Sequence, residues 1–189
     1  MQRCDWCTSD EPYIRYHDEE WGVPVHDDKK HFEFLVLESA QAGLNWYTVL
    51  KKRENYRKAY DGFDPEKVAQ YDEAKVEALL QDAGIIRNRK KIEASITNAR
   101  VFLDIRREFG SFDKYIWGFV GGKPVVGNHE TLAEIPATTA LSDAVSKDLK
   151  QRGMRFFGST IAYAHLQATG VVNDHTNDCF RKAECMAMG

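Results

Sequence analysis

Seven side chains able to bind metal sit at the two ends of this sequence: Cys4, Cys7, His17 and His26 near one terminus, His175, Cys179 and Cys185 near the other. Zinc accepts thiolate and imidazole in a tetrahedral shell, and the four-residue step from His175 to Cys179 predicts both on one helical face. Two more ligands from the N-terminal segment would close such a shell. Cys4 and Cys7 form the Cys-x-x-Cys pair common in zinc sites, so spacing alone does not decide between Cys7 and His17 as the fourth ligand. A shell closed by four protein ligands leaves no position for an activated water. Its role is therefore expected to be structural, tying the ends of the chain together.

A second kind of chemistry centres on Glu38. It follows Phe34 and Leu35 at four- and three-residue steps and so interrupts an apolar helical stripe with a carboxylate. Tyr13, Tyr16, His17 and Trp21 recur at three- and four-residue steps on an earlier helix, giving one side three aromatic rings and an imidazole. Taken alone, such aromatic stripes usually pack as core.

The elements that must position these residues read as all-α. A helix over 12–21 has Pro12 near its start and Gly22 past its end; a second, over 29–42, is ended by Gly43. After Leu44, an Asn45 N-cap opens a third from 46 to about 60, with Trp46, Val49 and Leu50 inward and Lys51, Lys52 and Arg53 outward. Asp64-Pro65 and Asp72-Glu73 open two more. Residues 79–92 read as helix, tight turn at Gly84, then a long basic helix to about 108. The unit over about 73–108 is similar to a helix-hairpin-helix, which attaches to a phosphate backbone through free N–H groups and the positive end of the second helix. The usual pattern has a second glycine where this chain has Ile86, so an ordinary αα-hairpin stands as the alternative from this segment alone. Later helices are expected near 112–119, 142–152 and 159–168, and the strand signal is confined to Pro124, Val125 and Val126. No repeat, low-complexity tract or long linker interrupts a single domain over 1–189.

Composition bounds the possibilities. With 43% hydrophobic and 29% charged residues, the chain has the make-up of a globular protein, and no stretch approaches the roughly 20 apolar residues of a membrane span. The start lacks a secretory signal, so a cytoplasmic protein without disulfides is expected, with no membrane partner. A net charge of −3 argues mildly against a protein that coats nucleic acid. Three local clusters nonetheless permit DNA binding: Arg87, Arg89, Lys90 and Lys91; Lys51, Lys52 and Arg53; and Lys147, Lys150, Arg152 and Arg155. Solvated helix faces would carry the same charges.

These residues lie in longer strings that resemble the 3-methyladenine DNA glycosylase I family of helix-hairpin-helix glycosylases almost end to end. The strings are Arg3-Cys4-x-Trp6; Tyr13-Ile14-x-Tyr16-His17-Asp18-x-Glu20-Trp21-Gly22-Val23-Pro24; and Glu38-x-x-Gln41-Ala42-Gly43-Leu44-x-Trp46, continuing to Tyr56. Asp82-Ala83-Gly84-Ile85-Ile86-Arg87, Lys150-x-Arg152-Gly153 and Val172-Asn173-Asp174-His175 with Cys179 complete them.

The resemblance implies a helical bundle whose ends, about 1–22 and 170–189, are joined by structural Zn2+ on Cys4, His17, His175 and Cys179. Cys7 and Cys185 then lie outside the ligand set. It implies a base pocket of Tyr13, Tyr16, Trp21, Glu38 and Trp46, with Glu38 both reading the base and serving as the catalytic candidate. DNA contacts are implied at Gly43 and Leu44, the latter filling the gap left by an extruded base, and at Gly84, Ile86, Arg87 and Lys90 in the hairpin. The implied activity is excision of 3-methyladenine from double-stranded DNA by a monomer. A DNA-binding module without excision and a zinc hydrolase are the competing functions.

Overall fold

The computed structural model describes residues 1–7 and 10–189. Among them, α1 (Glu11–Glu19), α2 (Asp28–Gln41), α3 (Trp46–Leu50), α4 (Arg53–Ala59), α5 (Pro65–Val68) and α6 (Glu73–Gln81) lead to the longest helix, α7 (Arg89–Phe109). There follow α8 (Phe112–Gly118), β1 (Val125–Val126), a 3-10 turn (Leu132–Glu134), α9 (Ala140–Gln151), α10 (Ser159–Ala168), β2 (Val172–Asn173) and α11 (Phe180–Met186). The fold is thus predominantly helical. Its one departure is the parallel pairing of β1 with β2, Val125 opposite Val172 and Val126 opposite Asn173, of which sequence signals mark only the first partner. Among the described residues, no helix is long and apolar enough to cross a membrane.

Local chemistry explains most helix starts. Asn45, Asp64, Asp72, Asn88 and Ser111 each accept a first-turn N–H with the side chain, satisfying donors that helix geometry leaves without intrahelical partners. The central helix is α2, whose residues from His31 to Ala40 are all buried. One face joins Phe32, Leu35 and Val36 to α7 and α10 in the main core, while Phe34 packs with Tyr16, Trp21 and Leu50 in a second cluster that also contains Cys4 and Cys179. Four polar side chains of α2 are drawn inside with these: His31, Glu33, Glu38 and Ser39.

Four expectations from sequence are corrected. The helix expected from 46 to 60 is two, α3 and α4, parted at Lys51 and Lys52. Arg53 does not face outward: it is only 8% exposed and meets Glu20 with two guanidinium nitrogens at 2.7 and 2.8 Å and Glu33 with Nε at 2.7 Å. A buried guanidinium is tolerable only when paired in this way. Trp21 lies beyond the end of α1, in a turn where its N–H and that of Glu20 both bond the carbonyl of Tyr16. His175 and Cys179 share no helical face, because α11 begins only at Phe180; a turn, closed by Cys179 N–H to the Thr176 carbonyl at 2.9 Å, brings them together.

Candidate active site and metal-ligand cluster

A cavity of about 330 Å³ opens between α1, α2, α3 and α10. Its lining contains all five residues expected there, Tyr13, Tyr16, Trp21, Glu38 and Trp46. The rings brace one another: Tyr16 and Trp46 have centroids 5.3 Å apart, and Trp6 meets Trp21 edge-on at 5.0 Å and Tyr13 at 5.1 Å. Burial raises the hydroxyls of Tyr13 and Tyr16 above the usual phenol range, so both stay neutral at ordinary pH.

The lining also includes residues not anticipated as pocket members. Trp6 and Gln41 stand within the strings quoted above, so their positions were visible and only their roles were missed. Thr160 and Tyr163 reach the cavity from α10, while Leu132, Ile135 and Pro136 form a wall from the segment after β1. Nothing in local spacing ties that wall to Glu38, about a hundred residues away in the chain.

Glu38 is 1% exposed, and burial pushes its carboxyl well above the usual carboxylate range. Oε2 lies 2.8 Å from Nδ1 of His165 on α10, a partner that sequence patterning did not suggest. Oε1 has no partner among the described residues, and neither do the indole nitrogens of Trp6 and Trp46. One acceptor and two donors, each costly to bury unsatisfied, therefore belong to side chains lining a single cavity. That pattern suits a planar, polar-edged ligand.

Between the lining residues Gln41 and Trp46 the chain turns through Gly43 and Leu44. Gly43 has φ +78°, the left-handed region that favours glycine, and Leu44 is 43% exposed. A large apolar side chain is thus displayed at a loop tip instead of packed.

The turn between α6 and α7 runs through 82–88. The N–H of Gly84 goes to Asp82 Oδ1 at 2.7 Å and that of Ile86 to the Tyr56 hydroxyl at 3.1 Å, so both amides serve the turn itself. Arg89 is engaged by Glu73 at 2.7 Å, and Lys91 Nζ reaches back to the carbonyls of Ala40 and Ala42 at 2.8 and 2.6 Å. Arg87 and Lys90 are exposed, with no ion pair among the described residues.

The other cluster joins the chain ends. The ligand atoms of Cys4, His17, His175 and Cys179, all buried, lie within 4.8 Å of one another. Cys179 Sγ is 3.5 Å from His17 Nε2 and 3.4 Å from His175 Nδ1, and Cys4 Sγ is 3.4 Å from His175 Nδ1. Such edges match the roughly 3.5 Å between N and S ligands of a tetrahedral zinc with ordinary bond lengths. The outward nitrogens are held too: His17 Nδ1 by Asp18 at 2.8 Å, and His175 Nε2 by the Trp21 carbonyl at 2.9 Å. Each acceptor keeps a proton on that nitrogen and leaves the inward one bare, as metal ligation requires. Contact with Cys4 and with the two imidazoles draws the Cys179 thiol down towards thiolate. Gly22, at φ +80°, lets the chain pass His175; a Cβ there would come within 2.8 Å of the ring. These four residues, and not the Cys4-x-x-Cys7 pair, form the grouping that could hold a metal.

Comparison with known proteins gives the same reading a wider footing. The sequence model of one family, methyladenine glycosylase, matches residues 6–182. The DNA-3-methyladenine glycosylase 1 of Escherichia coli is 54% identical over 179 residues, 95% of this chain and 96% of that protein. A crystal structure of a 3-methyladenine DNA glycosylase I superposes with a TM-score of 0.92 at 52% identity, covering 95% of this chain and 98% of the other. A variant of such an enzyme, crystallised in complex with 3-methyladenine, superposes at 0.93 with 39% identity, covering 96% and 98%.

Proposed function

This chain belongs to the methyladenine glycosylase family, and on that premise we propose that it hydrolyses the N-glycosidic bond of 3-methyladenine in double-stranded DNA after turning the damaged nucleotide out of the helix. The activity is that of a DNA-3-methyladenine glycosylase, the name carried by relatives matched over nearly their full length. The bond is inaccessible inside a duplex, so the base must leave the stack. Leu44, exposed on a loop between two cavity-lining residues, has the place and character to fill the vacated gap, and Gly43 lets the backbone come close beside it.

Methylation at N3 makes the nucleobase cationic while it is still attached to its sugar. Aromatic faces attract such a cation by roughly 0.5–2 kcal/mol each, so Tyr13, Tyr16, Trp21 and Trp46 favour the damaged base over a neutral one. Oε1 of Glu38 accepts from the exocyclic amine, and the indole N–H groups of Trp6 and Trp46 suit the ring nitrogens that remain acceptors. The same charge weakens the glycosidic bond, because the base departs neutral. Little acid catalysis is needed, and the pocket works by selecting the base and stabilising an oxocarbenium-like sugar that water then captures. Glu38 serves recognition first, with electrostatic stabilisation second.

DNA outside the pocket is held through its backbone by the α6–α7 hairpin. Arg87 and Lys90 offer charge, and the first turn of α7 offers free N–H groups and a positive dipole end. Gly84 and Ile86 shape that turn. Cys4, His17, His175 and Cys179 hold a structural Zn2+ whose four protein ligands leave no coordination position for water.

The observation that carries this reading is the unpartnered Glu38 Oε1 in an aromatic cavity. Duplex DNA treated with a methylating agent, assayed for free 3-methyladenine, tests it. Glu38→Gln is expected to slow release about 100-fold or more with a melting temperature within about 2 °C of the parent. Unchanged release, or a collapse in stability with full activity per folded molecule, would sink it.

A further inference from the structure

Behind Glu38 the hydrogen bonds do not end at His165. Nε2 of His165 lies 3.3 Å from Nδ1 of His31, and Nε2 of His31 lies 3.2 Å from the Val25 carbonyl and 3.6 Å from Asp113 Oδ1. Asp113 in turn meets His26, whose side chain is 58% exposed, at 3.0 Å. A file of polar groups thus runs from the cavity to the surface at His26 through two buried imidazoles that the excision chemistry does not otherwise use.

Hydrogen-bond polarity along this file is determined from its far end. The Val25 carbonyl can only accept, and it also accepts from the indole of Trp117 at 2.9 Å. His31 Nε2 must therefore carry a proton, and in a neutral ring its Nδ1 then accepts from His165 Nε2–H. That leaves His165 Nδ1 bare, so the proton at its 2.8 Å contact with Glu38 belongs to the carboxyl. Burial drives all three groups the same way, raising Glu38, lowering His31 and pushing His165 down to about 3. Tyr16, facing Glu38 from α1, is itself held neutral, while Asp113 on α8 and Asp28 on α2 are the acids that favour a charge on His31.

We propose that Glu38, His165, His31 and Asp113 form a proton relay that keeps the pocket carboxyl neutral when empty and makes it anionic when a cationic base enters. The proposal rests on the base-pocket reading above. The proton on Glu38 Oε2 passes to His165 Nδ1 as His165 Nε2–H passes to His31 Nδ1. His31 ends as an imidazolium beside the Asp113 carboxylate, His165 ends neutral, and no proton leaves the protein. The resting site avoids a bare buried charge, yet a carboxylate faces the substrate when its own charge arrives. His165 and His31 are positioning residues here: they touch Glu38 and each other, not the base.

Infrared difference spectra between the parent protein and Glu38→Gln report the carbonyl stretch of a protonated Glu38. The band is expected in the free protein at neutral pH, lost on saturation with the 3,9-dimethyladeninium cation, and kept with neutral 3-methyladenine. Its absence from the free protein, or its persistence with the cation bound, would overturn the relay. Asp113→Asn removes the counter-charge and leaves both rings in place, with its melting curve reporting the fold. It is expected to weaken binding of the cation about tenfold relative to neutral 3-methyladenine. An unchanged ratio, with both compounds bound by the parent protein, defeats the relay alone. If the parent protein binds neither compound, the pocket reading itself fails and the relay's trigger goes with it.

Discussion

Two indole N–H groups and one carboxyl oxygen share the lining of a single cavity without partners among the described residues. Leaving such groups unsatisfied costs about 1–3 kcal/mol each, a cost that a ligand with the complementary edge recovers on binding. An aminopurine methylated at N3 has that edge, with an amine to donate and ring nitrogens to accept. Trp6 is the informative member, since its ring also packs on Trp21 and Tyr13. Trp6→Phe keeps an aromatic ring and removes the donor. It is expected to weaken binding of free 3-methyladenine roughly five- to tenfold with little change in melting temperature, measurable by calorimetric titration. Equal affinity for the two proteins would show that this N–H reads nothing. Glu38 was legible in the sequence because a carboxylate breaks an apolar stripe. Trp6 and His165 were not, since an aromatic or a histidine in a helical protein has no spacing that separates ligand-facing from core.

Among the helices, α2 carries the carboxylate of the site: Glu38 lies in its body, with Gly43 and Leu44 just beyond its end. Lys91, in the first turn of α7, donates to the carbonyls of Ala40 and Ala42 at that end, which occupies acceptors the helix leaves open and sets a cation against its negative pole. Partial burial lowers the lysine from its usual range, as expected for an ammonium given to structure and not to solvent. The helix proposed to meet the DNA backbone is thereby bonded to the loop proposed to enter the duplex. Lys91→Met keeps the aliphatic stem and loses both bonds. Excision from DNA is expected to fall about tenfold, melting temperature by about 2–4 °C, and free-base affinity not at all. Equal losses in excision and base binding would mean that Lys91 supports the pocket instead. Runs of like charge hid this arrangement in the sequence. Lys91 and Arg53 each belong to a basic cluster that reads as a solvated face, but their partners lie on helices distant in the chain, beyond the reach of local periodicity.

Across the whole molecule, the cavity depends on both ends of the chain. Trp6, Tyr13, Tyr16 and Trp21 come from the N-terminal segment, which meets the C-terminal one where Cys4 and His17 face His175 and Cys179. The grouping was foreseeable because thiols and imidazoles cluster at the two termini; the turn that brings His175 to Cys179 was not, since a four-residue step fits a helix equally well. If zinc closes this cluster, its removal must loosen the aromatic wall as well as the termini. Cys179→Ala is expected to lose one equivalent of bound zinc, to lower the melting temperature by on the order of 10 °C, and to lose base binding as the wall opens. Arg87→Ala, at the hairpin, separates the effects: it should keep its zinc, its melting temperature and its base affinity, while DNA binding weakens and its salt dependence shrinks by about 0.9 in log–log slope. A Cys179→Ala protein that retained stoichiometric zinc, or lost it without loss of stability, would leave the ends held by packing alone. The Trp21 carbonyl and the Asp18 carboxylate on the outer nitrogens of His175 and His17 argue the other way, because they turn two bare ring nitrogens inward towards two sulfurs, a donor set that suits a cation.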